Sequence, residues 1–188
     1  EWNIVLAVDP ENFSAKKGIE EADNILNKLK QEEKQNLEYE SIVKKAEQSY
    51  KEKEYINALD FYRQAENVRP NDKDVKVKIK AVQDTIDGFI KTSLEKAGKY
   101  LNDKDLIKAA YEWRNCLKYD TKNVEANSEL EKHKDEIKKL SDKLYIEGLE
   151  AYGKEDINNA ISKWKDVLIL VPEHEKAKLN IEKAMRRK

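Results

Sequence analysis

Apolar residues recur at three- and four-residue steps over most of the chain, and the recurrence resets at regular places. After Pro10 the steps fall on Ala15, Ile19, Ala22, Leu26 and Leu29; after Pro70 on Val75, Ile79, Val82, Ile86 and Phe89. After Thr121 they fall on Ala126, Leu130, His133, Ile137 and Leu140. This is the spacing of one face of an α-helix. Two readings fit the long segments. Each is one continuous helix, near 11–53, 72–102 and 123–154, or an extra helix ends near Gly88 or Ser141 and another begins there. Serine is a good N-cap, but a single glycine costs only about 1 kcal/mol inside a helix, so long, bent helices are the expectation. Turns at Lys53–Glu54, Asp103–Lys104 and Glu155–Asp156 then lead into short helices, and a last helix is predicted over 173–187.

The short helices carry a second regularity. WNIVLAVDPENFSA from Trp2, ALDFYRQAENVRPNDKDV from Ala58, AAYEWRNCLKYDTKNVEA from Ala109 and AISKWKDVLILVPEHEKA from Ala160 align without gaps. Ala58, Ala109 and Ala160 each stand four residues before an aromatic, in the column Trp2, Tyr62, Trp113, Trp164. Val5, Ala65, Cys116 or Val167 follows, then Pro10, Pro70, Thr121 or Pro172, then Ala15, Val75, Ala126 or Ala177. The aromatic column repeats at intervals of 60, 51 and 51 residues, the periodicity of a stacked helical array. Alanine at i and an aromatic at i+4 share one helix face, so a neighbouring helix can approach the small residue while the ring fills the space beside it. Proline ends the helix because it lacks an N–H and clashes with the preceding turn. Asn71-Asp72 and Thr121 are the expected caps of the helices that follow.

These columns resemble the tetratricopeptide repeat. That family's first-helix small position falls on Ala46, Ala97 and Gly148, its second-helix alanine on Ala58, Ala109 and Ala160, and its bulky position on Tyr62, Trp113 and Trp164. The resemblance implies an all-α fold, a right-handed α-solenoid of paired helices with long first helices. Residues 1–188 would form a single such solenoid, with repeat ends near Pro10, Pro70, Thr121 and Pro172. Two departures stand out: each unit is about 17 or 26 residues longer than the family's 34, and Thr121 replaces a proline.

Composition narrows the function. Only 5 Gly and 3 Pro occur, and 40% of residues are charged, which suits long helices. The net charge of −1 comes from interspersed signs, and no one-sided basic stripe marks a nucleic-acid partner. Arg186-Arg187-Lys188 reads as a helix C-terminus, where cations complement the dipole. No stretch is long and apolar enough for a membrane span. The single Cys116 rules out an intrachain disulfide and takes a small-residue column, so it reads as a buried small hydrophobe. Because Glu1 opens the chain and Trp2 already lies in a repeat, a fragment of a longer protein is expected.

No carboxylate pair, histidine cluster or glycine-rich phosphate loop stands out, so neither catalysis nor a metal or cofactor is expected. His133 reads as packed at a core edge and His174 as a solvated residue at a helix start. The tryptophans occupy the core column and read as packing, not as a carbohydrate platform. The resemblance places ligands on the concave face of the first helices, which here means the ladders Val43–Leu94–Tyr145, Glu47–Gly98–Leu149 and Tyr50–Leu101–Tyr152. The alternative is that the lengthened helices bury these positions against their neighbours. The expected role is a non-enzymatic protein–protein interaction scaffold that holds a protein or peptide partner in this groove. The runner-up is a structural assembly component that stacks with other copies or subunits. The style of the last repeat resembles spirochaete proteins of this kind, among them components of the bacterial periplasmic flagellar collar, which act in motility. By that resemblance alone the periplasm is favoured over the cytoplasm. A third possibility is an enzyme domain outside this segment, which would then dock its substrate.

Overall fold

In the computed structural model residues 1–187 are described, and among them the fold is all-α: nine helices and no strand. Lys188, the last of the terminal basic cluster, lies outside the described residues. The helices gather into two compact units, Glu1–Asp84 and Thr85–Lys188. The first contains α1 (Trp2–Val8), α2 (Phe13–Lys51), α3 (Tyr55–Val68) and the residues of α4 (Lys73–Asn102) up to Asp84. The second contains the remainder of α4, then α5 (Leu106–Tyr119), α6 (Val124–Lys132), α7 (Lys134–Gly153), α8 (Ile157–Leu170) and α9 (Glu175–Met185).

Two kinds of corner make these elements. Each short helix ends on an extended residue, Asp9, Arg69, Asp120 or Val171, with φ between −137° and −129°. Its carbonyl accepts from the N–H three residues on, at Asn12, Asp72, Asn123 or His174, at 3.0–3.1 Å. Those residues are the N-caps of the next helices: their side chains accept from the N–H of Ala15, Val75, Ala126 and Ala177. At three corners the extended residue precedes proline, which forces that conformation. At the remaining corner, Asp120 precedes Thr121 and reaches the same shape through its own carboxylate, which accepts from the Lys122 N–H and the Asn123 amide. The expected Thr121 cap is therefore corrected. Asn123 caps α6, because it stands where Asn12 and Asp72 stand, while the Thr121 carbonyl accepts from Asn127. His174 caps α9 through Nδ1, so it is more than a solvated residue at a helix start.

The second corner follows each long helix. Lys53, Lys104 and Glu155 take φ of 63°, 60° and 62°. The next N–H reaches back five residues: Glu54 to the Ser49 carbonyl, Asp105 to Tyr100 and Asp156 to Ala151, at 2.8–3.0 Å. This is the Schellman arrangement, with a non-glycine residue in the left-handed position. All three lie at the turns expected from the sequence. Asp105 and Asp156 then cap α5 and α8 through the N–H groups of Lys108 and Asn159.

Long helices form at α2 and α4, unbroken at Gly88. The third expected long helix is interrupted, though at His133 and not at Ser141. His133 takes φ −95°, ψ 9° between α6 and α7, while its N–H still bonds Glu129 and its carbonyl still accepts from Ile137. The interruption accompanies an imidazole nearly parallel to Trp113, with ring centroids 5.7 Å apart. Ser141 sits inside α7, fully buried.

The repeat columns form the cores. Tyr62, Trp113 and Trp164 are 4%, 2% and 1% exposed, and Ala46, Ala58, Ala97, Ala109 and Ala160 are fully buried. Burying one such ring removes roughly 150–250 Å² from water, a gross gain of about 4–6 kcal/mol. In the first unit α3 packs on α2; in the second α8 packs on α7, α9 and α5. Trp2 departs from its column. It lies against Gly18 of α2 yet stays 46% exposed, and α1 buries no residue. Along the first half of α2 the apolar positions Ile25, Leu26 and Leu29 are exposed as well.

Candidate protein-binding face

The nine residues singled out by sequence divide between the units. In the first, Val43 and Glu47 are half-buried and Tyr50 is exposed. Glu47 is ion-paired with Lys78 of α4, whose ammonium also lies over the Tyr62 ring. That hydrogen bond holds the Glu47 carboxyl below its ordinary value. Tyr50 meets Tyr55 edge-on, with centroids 5.5 Å apart.

In the second unit Leu94 and Leu101 pack, half-buried, against the core, and Gly98 faces open space. Leu94 also floors a recess of about 540 Å³ shared with Ile90, Asp120 and Asn123. Tyr145 and Tyr152 stand on α7, as the helical spacing required, but α9 and the residues at its two ends hold both. The Tyr145 ring lies 4.8 Å from that of His174, and its hydroxyl accepts from the Asn180 amide at 3.2 Å. Tyr152 leans on Trp164, and the Arg187 guanidinium lies over its ring and donates to its hydroxyl at 3.0 Å. Leu149, between the two tyrosines, remains 44% exposed, and Ile146, one turn earlier, 55%. A Lys163–Glu147 ion pair of 2.6 Å ties α8 to α7 beside them and lowers the Glu147 carboxyl. The open apolar ground on α7 is thus Ile146 and Leu149, a pair three residues apart on one helix face.

Sequence reasoning missed the surface between α5 and α8. Two recesses, of about 490 and 430 Å³, lie there and share Tyr111 and Ile169. The Arg114 guanidinium donates to the carbonyls of Ile169 and Leu170, the last turn of α8, at 2.9 and 2.7 Å. Its burial lowers the guanidinium's pKa. Only Tyr111, two residues before Trp113 and so on nearly the opposite side of its helix, hinted at this surface in the chain.

For chemistry the arrangement offers little. Cys116 is buried, which pushes its thiol up and away from the reactive thiolate. Among the described residues no three His, Cys, Asp or Glu side chains are placed to share a metal ion, and no helix is long and apolar enough to cross a membrane. No protein-family model matches the chain, and no curated protein is significantly similar to it.

Proposed function

We propose that the chain is a non-enzymatic protein-interaction scaffold, a tetratricopeptide-like solenoid whose long first helices present an apolar strip to a protein or peptide partner. The observation that carries this reading is the exposure of Ile146 and Leu149 on α7, between two tyrosines that α9 holds in place. Exposed apolar pairs on a charged helical surface favour a partner's apolar face. The groove version narrows accordingly: Tyr145 and Tyr152 serve as its walls, positioned by His174, Asn180 and Arg187, and Leu149 as its floor. A photo-crosslinking residue placed at position 149 in the native host should give a discrete adduct with one protein, identified by mass spectrometry. Adducts no different from those of a residue at the exposed position Ser128 would sink the proposal.

A second reading rests on the exposed stripe Ile25, Leu26 and Leu29 of α2. It supports a structural component that stacks with other copies or subunits, the role the flagellar-collar resemblance implies. Leu26→Lys would then abolish stacking while leaving the 149 adduct intact.

A further inference from the structure

The surface between α5 and α8 has a charge order that the scaffold reading does not use. Its two recesses meet at Tyr111, which is 46% exposed, and at half-buried Ile169. The recess nearer the start of α5 is lined by the carboxylates of Asp105, Glu112 and Asp166 and by the Lys108 ammonium. Toward the end of α5 it carries Lys118 and Lys165 with the apolar Leu168 and Pro172. Within the acidic half Asp105 is answered by Lys108 at 2.7 Å. Among the described residues Asp166 has no such close ion pair; partial burial raises its carboxyl, the Lys163 charge works against that rise and the nearby Asp105 charge adds to it. The groove is therefore acidic at one end, basic at the other and aromatic at the middle.

A surface of that order is complementary to itself when turned by half a rotation about its centre. An isologous two-fold interface requires this property, since the same patch serves both partners. We propose that the α5–α8 groove is the contact face of a homodimer, with a second copy of this chain as its occupant. In it the two Tyr111 side chains meet on the axis, and the acidic half of each groove faces the basic half of the other. Tyrosine at the centre with charges toward the rim is the usual composition of such contacts. Asp166 then gains the Lys118 ammonium of the partner copy in place of solvent. The occupant is a second copy because the groove's own charge order specifies it, end for end. The proposal shares self-association with the second reading above but places it on a different surface, away from the α2 stripe.

The test is sedimentation of the purified chain over about 1–200 µM, a range that brackets micromolar affinity. A monomer–dimer equilibrium that weakens as salt screens the charges is expected. Asp166→Lys or Lys118→Glu alone sets like charges face to face and should raise the dissociation constant by about tenfold or more. The double reversal Asp166→Lys/Lys118→Glu should restore it to within about threefold of the original. Tyr111→Ser, on an exposed site, should abolish dimerisation without altering the circular dichroism, which keeps the proposal testable if a charge reversal fails to fold. A chain that stays monomeric throughout overturns it, as does failure of the double reversal to restore association. Association that survives Tyr111→Ser and both single reversals but disappears in Leu26→Lys overturns the groove dimer and leaves the stacking reading standing.

Discussion

Gly148→Ala offers a sharp test of how α7 and α8 are locked together. A Cβ at position 148 would lie 2.7 Å from Cδ1 and 2.9 Å from Cε2 of Trp164, well inside contact distance. The ring has little room to retreat. Trp164 is fully buried, its indole N–H donates to the Tyr145 carbonyl at 3.3 Å, and Tyr152 leans on it with centroids 5.8 Å apart. Overpacking of this kind costs about 1–3 kcal/mol. Against it stands the helix-propensity gain of alanine over glycine, about 1 kcal/mol, which every glycine inside a helix offers. Gly98, in α4, isolates that gain, because a Cβ there meets nothing within 4 Å. Gly98→Ala should therefore stabilise the chain by about 0.5–1 kcal/mol, while Gly148→Ala, with that gain set against the overpacking, destabilises it by up to about 2 kcal/mol. In thermal melts of a chain this long the loss appears as a midpoint lowered by up to about 8 °C. Adding Trp164→Phe to Gly148→Ala should return part of the loss, because the smaller ring vacates the contested space. Equal stabilisation by Gly148→Ala and Gly98→Ala would refute the close approach of the two helices at this point.

Three further substitutions test separate features. Tyr39, buried on α2, donates its hydroxyl to the Asp72 carboxylate that caps α4, with the Arg69 guanidinium 3.8 Å above its ring; Tyr39→Phe should cost about 1–2 kcal/mol in urea unfolding. Burial, followed by the Asp72 bond, raises the Tyr39 hydroxyl from 10.0 to about 12, so its contribution is full below pH 10 and is lost as pH rises through that window. The stability gap between wild type and Tyr39→Phe should shrink over the same range, and a gap constant up to pH 12 counts against the bond. Lys104→Gly should stabilise by about 0.5–1 kcal/mol, because glycine adopts φ near 60° without the side-chain clash; a melting midpoint that falls instead disproves the left-handed turn. Ser141→Ala should raise stability by about 1 kcal/mol, since the fully buried hydroxyl has no hydrogen-bond partner among the described residues; a loss above 1 kcal/mol would mean the hydroxyl is bonded.

What the chain disclosed and what it withheld follow one physical division. The core columns were legible because each is set by local spacing: Ala58 and Tyr62, or Ala160 and Trp164, share a helix face whatever surrounds them. The left-handed turns at Lys53, Lys104 and Glu155 were placed by where the apolar period resets, although no glycine marks them. The corner at Thr121 was visible as a break but was misread chemically. Proline is the device the sequence suggests, whereas the device is an extended residue three before the cap. Asp120 supplies that shape with its carboxylate, as Asp9 does beside Pro10, through bonds from Glu11 and Asn12. The interruption at His133 has no breaker to announce it, and it sits where the imidazole stacks on Trp113 of another helix. The same limit governed the candidate face. Tyr145 and Tyr152 were correctly assigned to one side of α7, yet what lies over them, His174, Asn180 and Arg187, stands about thirty residues downstream in the chain, where no periodicity reaches. Tyr111 and Ile169 are farther apart still, and their adjacency, with opposite charges at either end, exists only once α8 has packed against α5. Surfaces that combine two helices are thus what a single helical pattern does not encode. Leu149 sits at the margin between the two cases, since its helix face was readable in sequence and its exposure was not.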